Sequence, residues 1–154
     1  MANHRLIRCR PGDVFSVLAD GTLLSRWIHE SSQVQDLDQA WPQPGSHSRH
    51  RSRLGPIPLH DGTSIIEWDP PRHMSLTIHG RLVGSTVVTL DVEAGANGCL
   101  AHLSETVVQG PGLLLPKTLR RAGLHLHNGE RLERLARLAE TRAERTDSGR
   151  RVHT

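Results

Sequence analysis

Residues 41–56 read WPQPGSHSRHRSRLGP. Between Pro44 and Leu54 no residue is hydrophobic, histidine stands at 47 and 50, and arginine stands at 49, 51 and 53. So polar a run invites reading as an irregular loop, yet its alternation argues for a strand over 46–54. Ser48, His50, Ser52 and Leu54 fall on one face of that strand, and His47, Arg49, Arg51 and Arg53 on the other. The arginine face belongs to solvent. The opposite face then turns Ser48, His50 and Ser52 inward, where polar groups need hydrogen-bonding partners. A short edge strand wetted on both faces is the competing reading of the same residues.

Outward from this stretch the period of two continues. Turn signals at Gly55-Pro56, Asp61-Gly62, Asp69-Pro70-Pro71, Gly80 and Gly95 to Gly98 punctuate candidate strands at 31–38, 57–68, 72–79, 84–94 and 99–109. In RHMSLTIHG (72–80), Met74, Leu76 and Ile78 alternate with His73, Ser75, Thr77 and His79, the pattern of a half-buried antiparallel meander. A first strand lies within 3–10. Two short helices follow it, over DVFSVLAD (13–20) and TLLSRWI (22–28), each too short to stand without a larger element.

Beyond Gly110-Pro111-Gly112 the period becomes helical and long. Pro116 suits a first turn, and Leu124, Asn128, Leu132, Leu135 and Ala139 recur at spacings of three and four. Leu119, Leu126 and Leu138 are expected to widen that stripe, with Arg120, Arg121, Arg131, Glu133, Arg134, Arg137 and Glu140 on the other side. The expected organisation is one domain over 1–142 and a disordered tail over 143–154. A single curved antiparallel sheet must bury its concave face on the last helix, leaving a cavity between them.

Composition narrows the function classes. A chain of 154 residues suits one domain, and the formal charge of +3 comes almost wholly from arginine, since Lys117 is the only lysine. Sixteen carboxylates interspersed among the arginines argue against one basic face, and aromatic side chains for stacking bases are scarce, so no nucleic acid is expected. No apolar run approaches the ~20 residues of a membrane span and no signal sequence opens the chain, so no membrane partner and a cytoplasmic setting are expected. Cys9 and Cys99 stand outside any CxxC and read as small packing residues. No metal site is expected: His47 and His50 point to opposite faces of a strand, and His125 and His127 stand about 200° apart round a helix.

The stretches VFSVLADGTLLSRW (14–27), WPQPGS (41–46), EWDPPRHMSL (67–76), ETVVQGPGLLLP (105–116) and HNGERLERLARLAE (127–140), in this order of elements, resemble the polyketide cyclase/dehydrase-type members of the SRPBCC (START-like) superfamily. The resemblance implies an α+β helix-grip fold: a curved antiparallel sheet of about seven strands round a long C-terminal helix, with two short helices after the first strand. It implies a deep cavity for a hydrophobic or amphipathic small molecule. Relatives include carriers of lipids, hormones or metabolites as well as cyclases and dehydratases, so fold leaves both open.

Within that cavity, strand 99–109 carries Cys99, Ala101, Leu103, Glu105 and Val107 on its more apolar face, taking Glu105 inward. A desolvated carboxyl group can serve as acid or base near neutral pH, or it can pair with an arginine. Asn128, an amide within the apolar stripe, must hydrogen-bond to the sheet or to a ligand. His50 and Glu105 are the candidate acid–base pair. Ser48, Ser52, Trp68, Met74, Leu76, Ile78, Val88, Leu90, Leu103, Leu124, Asn128 and Leu135 are the candidate lining. No cofactor is expected, and the chain is expected to be a monomer or homodimer that binds a small hydrophobic molecule as carrier or sensor, or converts it as a cyclase or dehydratase.

Overall fold

In the computed structural model, which describes residues 2–27, 33–54, 56–80 and 84–152, the chain begins with strand β1 (Ala2–Ile7) and helix α1 (Pro11–Ala19). A 3-10 turn (Gly21–Leu23) leads into the short helix α2 (Leu24–Trp27). Six strands follow: β2 (Gln33–Leu37), β3 (His47–Leu54), β4 (Ile57–Asp69), β5 (His73–Gly80), β6 (Gly84–Gly95) and β7 (Gly98–Gln109). A 3-10 turn (Pro111–Leu114) then precedes helix α3 (Lys117–Val152). The polar run at 47–54 is therefore a strand.

Every pairing in the sheet is antiparallel, and the order is β1-β7-β6-β5-β4-β3-β2. Strands β2 to β7 form a meander, with short connections at 70–72 and 96–97 and a longer one over 38–46 that holds Pro42, Pro44 and Gly45. The first strand adds beside the last. Gly98 allows that closure: its φ is 138°, and a Cβ there would stand 2.2 Å from the Ile7 carbonyl oxygen. Helices α1 and α2 carry the chain from β1 at one edge to β2 at the other. Pro11 opens α1, where its missing N–H costs nothing, and Asp13 accepts a hydrogen bond from the Arg10 N–H at 3.1 Å.

One face of the sheet is buried and one is wet. Strands β6 and β7 alternate buried with exposed or half-buried residues, and the buried set, with Met74, Leu76 and Ile78 of β5, meets Leu132, Leu135, Ala136 and Ala139 of α3 in one core cluster. Val14, Phe15, Val17 and Leu18 bring α1 into the same cluster. Trp27 is buried there, and Trp41 donates its indole N–H to the Leu18 carbonyl at 3.3 Å.

Helix α3 departs from the sequence reading in three ways. Leu119 and Leu126 are 64% and 71% exposed, because at about 100° per residue they stand 180–200° round the helix from Asn128. Arg131, expected on the wet side, is buried; it lies only about 60° from Asn128 on the same scale. The helix also continues through Val152 instead of ending at 142; the segment 143–152 contains no proline, and Ala143, Glu144, Arg145, Arg150 and Arg151 favour helix.

Candidate functional site

Register lays the inner face out in rows. The first runs Ser48, Thr63, Ile78, Thr86 and Val107 across β3 to β7, each the direct partner of the next. The second runs Ile65, Leu76, Val88 and Glu105; the third runs Trp68, Met74, Leu90, Leu103 and, on β1, Asn3. All of these are buried except Trp68, which is half-buried against Phe15 with ring centroids 5.4 Å apart. Hydroxyls thus gather at one end of the concave face, in Ser48, Thr63 and Thr86, while the third row is apolar apart from Asn3 at its β1 end.

Above the second row, Arg131 Nη1 donates to Glu105 Oε1 at 2.7 Å and to Asn128 Oδ1 at 3.1 Å. Both charged side chains are 3% exposed, so this ion pair spans sheet and helix in a dry setting. Burial lowers the Arg131 pKa from its ordinary value, and the Glu105 charge and hydrogen bond oppose that shift. Asn128 is itself buried, and its partner is this arginine. Of the two roles open to Glu105 in the sequence, the geometry shows the arginine-paired one.

Met74, Leu76, Ile78, Val88, Leu90, Leu103, Asn128, Leu135 and Ser48 are brought into one interior. Leu124 is half-buried nearer the start of α3. The side chains of His50 and Ser52 lie outside the described residues. Their backbones occupy β3 opposite Asp61 and Leu59, at the same parity as Ser48. Four strand intervals separate His50 on β3 from Glu105 on β7, about 19 Å along a flat sheet at ~4.8 Å per strand. The two proposed acid–base partners are therefore not adjacent in the sheet.

Thr63, Thr86 and Arg131 were missed from sequence. The two threonines were legible as members of alternating faces, but they stand out only once register aligns them with Ser48. Arg131 could have been found from its spacing of three from Asn128.

A second ionisable cluster lies on the wet face. His73 holds Asp91 Oδ1 on its Nδ1 at 2.6 Å and Glu67 Oε2 on its Nε2 at 2.7 Å. The Asp91 hydrogen bond raises the His73 pKa from 6.5, burial opposes it, and Glu67 adds to the rise. A folded value above the unfolded one gives stabilisation that is complete below 6.5 and disappears as pH rises through the folded value. Titration of the His73 ring by NMR is expected to give a value above 6.5 that falls toward it in Asp91→Asn. Urea midpoints of wild type and His73→Gln are expected to converge as pH rises.

A curved antiparallel sheet gripping one long C-terminal helix, with two short helices between the first strand and the rest, defines a START-like helix-grip protein. The family model described as polyketide cyclase / dehydrase and lipid transport matches residues 1–140, and the chain belongs to that family. A protein from Arthrobacter aurescens superposes with a TM-score of 0.70 at 11% identity, over 91% of this chain and 85% of that one. A Rhizobium leguminosarum protein gives 0.68 at 15% identity, over 92% and 93%. Ara h 8.0201 gives 0.64 at 14% identity, over 92% and 97%. At these identities the likeness is one of fold. Among curated proteins none matches. Among the described residues no helix is long and apolar enough to cross a membrane.

Proposed function

We propose that this chain binds a hydrophobic or amphipathic small molecule, polyketide-like or lipid-like, between the concave face of the sheet and α3, and serves as a carrier or sensor. The observation that supports it is the division of the inner face. An apolar end formed by Met74, Leu90 and Leu103 adjoins a polar end formed by Ser48, Thr63, Thr86 and the Glu105–Arg131–Asn128 cluster. A ligand with an apolar body and hydroxyl or carbonyl groups complements that division. Conversion by a cyclase or dehydratase mechanism is the second reading, favoured by the family's own description. It would require Glu105 to exchange its bond to Arg131 for one to substrate.

Native mass spectrometry of the protein purified from its own host is expected to show a co-purifying small molecule lost on denaturation. An empty protein that also takes up no apolar fluorescent dye would overturn the proposal. With the molecule in hand, Glu105→Gln and His50→Ala separate the two readings. Weaker binding, by about tenfold for loss of one charged hydrogen bond, is the carrier outcome. Unchanged affinity with abolished conversion is the enzyme outcome.

A further inference from the structure

A groove lies away from the concave face of the sheet, where α1, the 3-10 turn and α2 meet the C-terminal half of α3. Its volume is about 710 Å³, within the range of small-molecule sites. Half-buried Leu23 and Leu138, with the buried Val17 beneath them, form an apolar floor, and Arg26, Arg137, Arg142 and Arg145 stand round it. The helical spacing explains the convergence: Arg137, Thr141 and Arg145 follow one another at intervals of four on one face of α3, with Leu138 and Arg142 on the adjoining row.

Charge in the groove is unbalanced. Among the described residues Asp20 is the only carboxylate lining it; it lies 3.6 Å from Arg142 and also accepts hydrogen bonds from Thr22. Glu133 pairs with Arg137 from outside. Arg142 further donates to the Ser16 carbonyl at 2.7 Å, tying α3 to α1. Among the described residues Arg26 and Arg145 have no carboxylate partner, and both are exposed. Two guanidinium groups beside an apolar floor offer forked donors to an oxyanion and a surface to the chain attached to it.

We propose that this groove is a binding site for a small amphipathic anion, with a carboxylate or phosphate head held by Arg26 and Arg145 and an apolar body over Val17, Leu23 and Leu138. It is distinct from the interior between sheet and helix, so it stands or falls independently of that reading.

Calorimetric titration at low salt with octanoate, octyl phosphate and inorganic phosphate, the amphiphiles kept below micelle formation, tests it. Octyl phosphate and octanoate are expected to bind one to one, at least tenfold more tightly than inorganic phosphate. Affinity is expected to fall tenfold or more in the double variant Arg26→Gln/Arg145→Gln, whose exposed sites leave the fold intact. Equal, weak binding of octyl phosphate and inorganic phosphate would reduce the groove to general surface charge and overturn the proposal. An unchanged affinity in the double variant would do the same. Amide shift mapping on the wild-type chain localises the site without any variant: octyl phosphate should perturb Val17, Leu23, Leu138 and Thr141. Shifts confined to Leu76, Val88 and Leu103 would place the anion in the central interior and sink the idea.

Discussion

Arg131→Ala is expected to lower the stability of the fold by about 3–5 kcal/mol, read as a shift of the urea midpoint at unchanged slope. The cost lies in what is left behind. Glu105 keeps its position on β7, with 3% of its side chain exposed, and loses the guanidinium that compensates its charge at 2.7 Å. Asn128 loses the same donor. Replacing both charges together, as in Glu105→Leu/Arg131→Met, removes the uncompensated group and is expected to cost much less than the single change, since an apolar pair of similar size avoids desolvation altogether.

That comparison bears on function as well as stability. An ion pair whose joint replacement is nearly neutral is not needed to hold the fold, and its presence in a dry interior then has to be explained by what it recognises. If instead Arg131→Ala costs under about 1 kcal/mol, in the range of a solvated pair, water reaches the cluster in solution and Glu105 is accessible to a ligand.

How legible these features were depended on whether they were local. Strand β3 was readable in SHSRHRSRL because a period of two survives even when Leu54 is the one apolar residue in it, and the structure puts Ser48 inside and Arg49 and Arg51 outside. Leu132, Leu135 and Ala139 were likewise visible from helical spacing. Leu119 and Leu126 were misread because leucine suggests burial, whereas the angular position of each opposes the stripe through Asn128. The cluster itself could not be assembled from sequence. Glu105 and Arg131 lie 26 residues apart on different elements, and only the placement of α3 over the sheet brings them within hydrogen-bonding distance. The hydroxyl row was hidden for the same reason, since it is a product of register across five strands.

Leu135→Ala is expected to destabilise by about 2–5 kcal/mol, toward the upper part of that range. Leu135 is 0% exposed and belongs to the cluster that joins α3 to Leu90, Leu103 and Val92 of the sheet. Truncation there removes three carbons from a packed setting, so both the lost transfer energy and the unfilled volume count. Leu135 is a candidate for the ligand wall as well as a member of the core, and the size of the effect separates these roles. A side chain that borders an existing void has already forfeited contacts on one side and would cost less to remove. A loss near the top of the range assigns Leu135 to the core and moves the ligand space toward the hydroxyl row and the half-buried Leu124, where Leu124→Ala should cost much less. A loss near 1 kcal/mol, with greater uptake of an apolar dye by the variant, would instead put the ligand directly beneath the middle of α3.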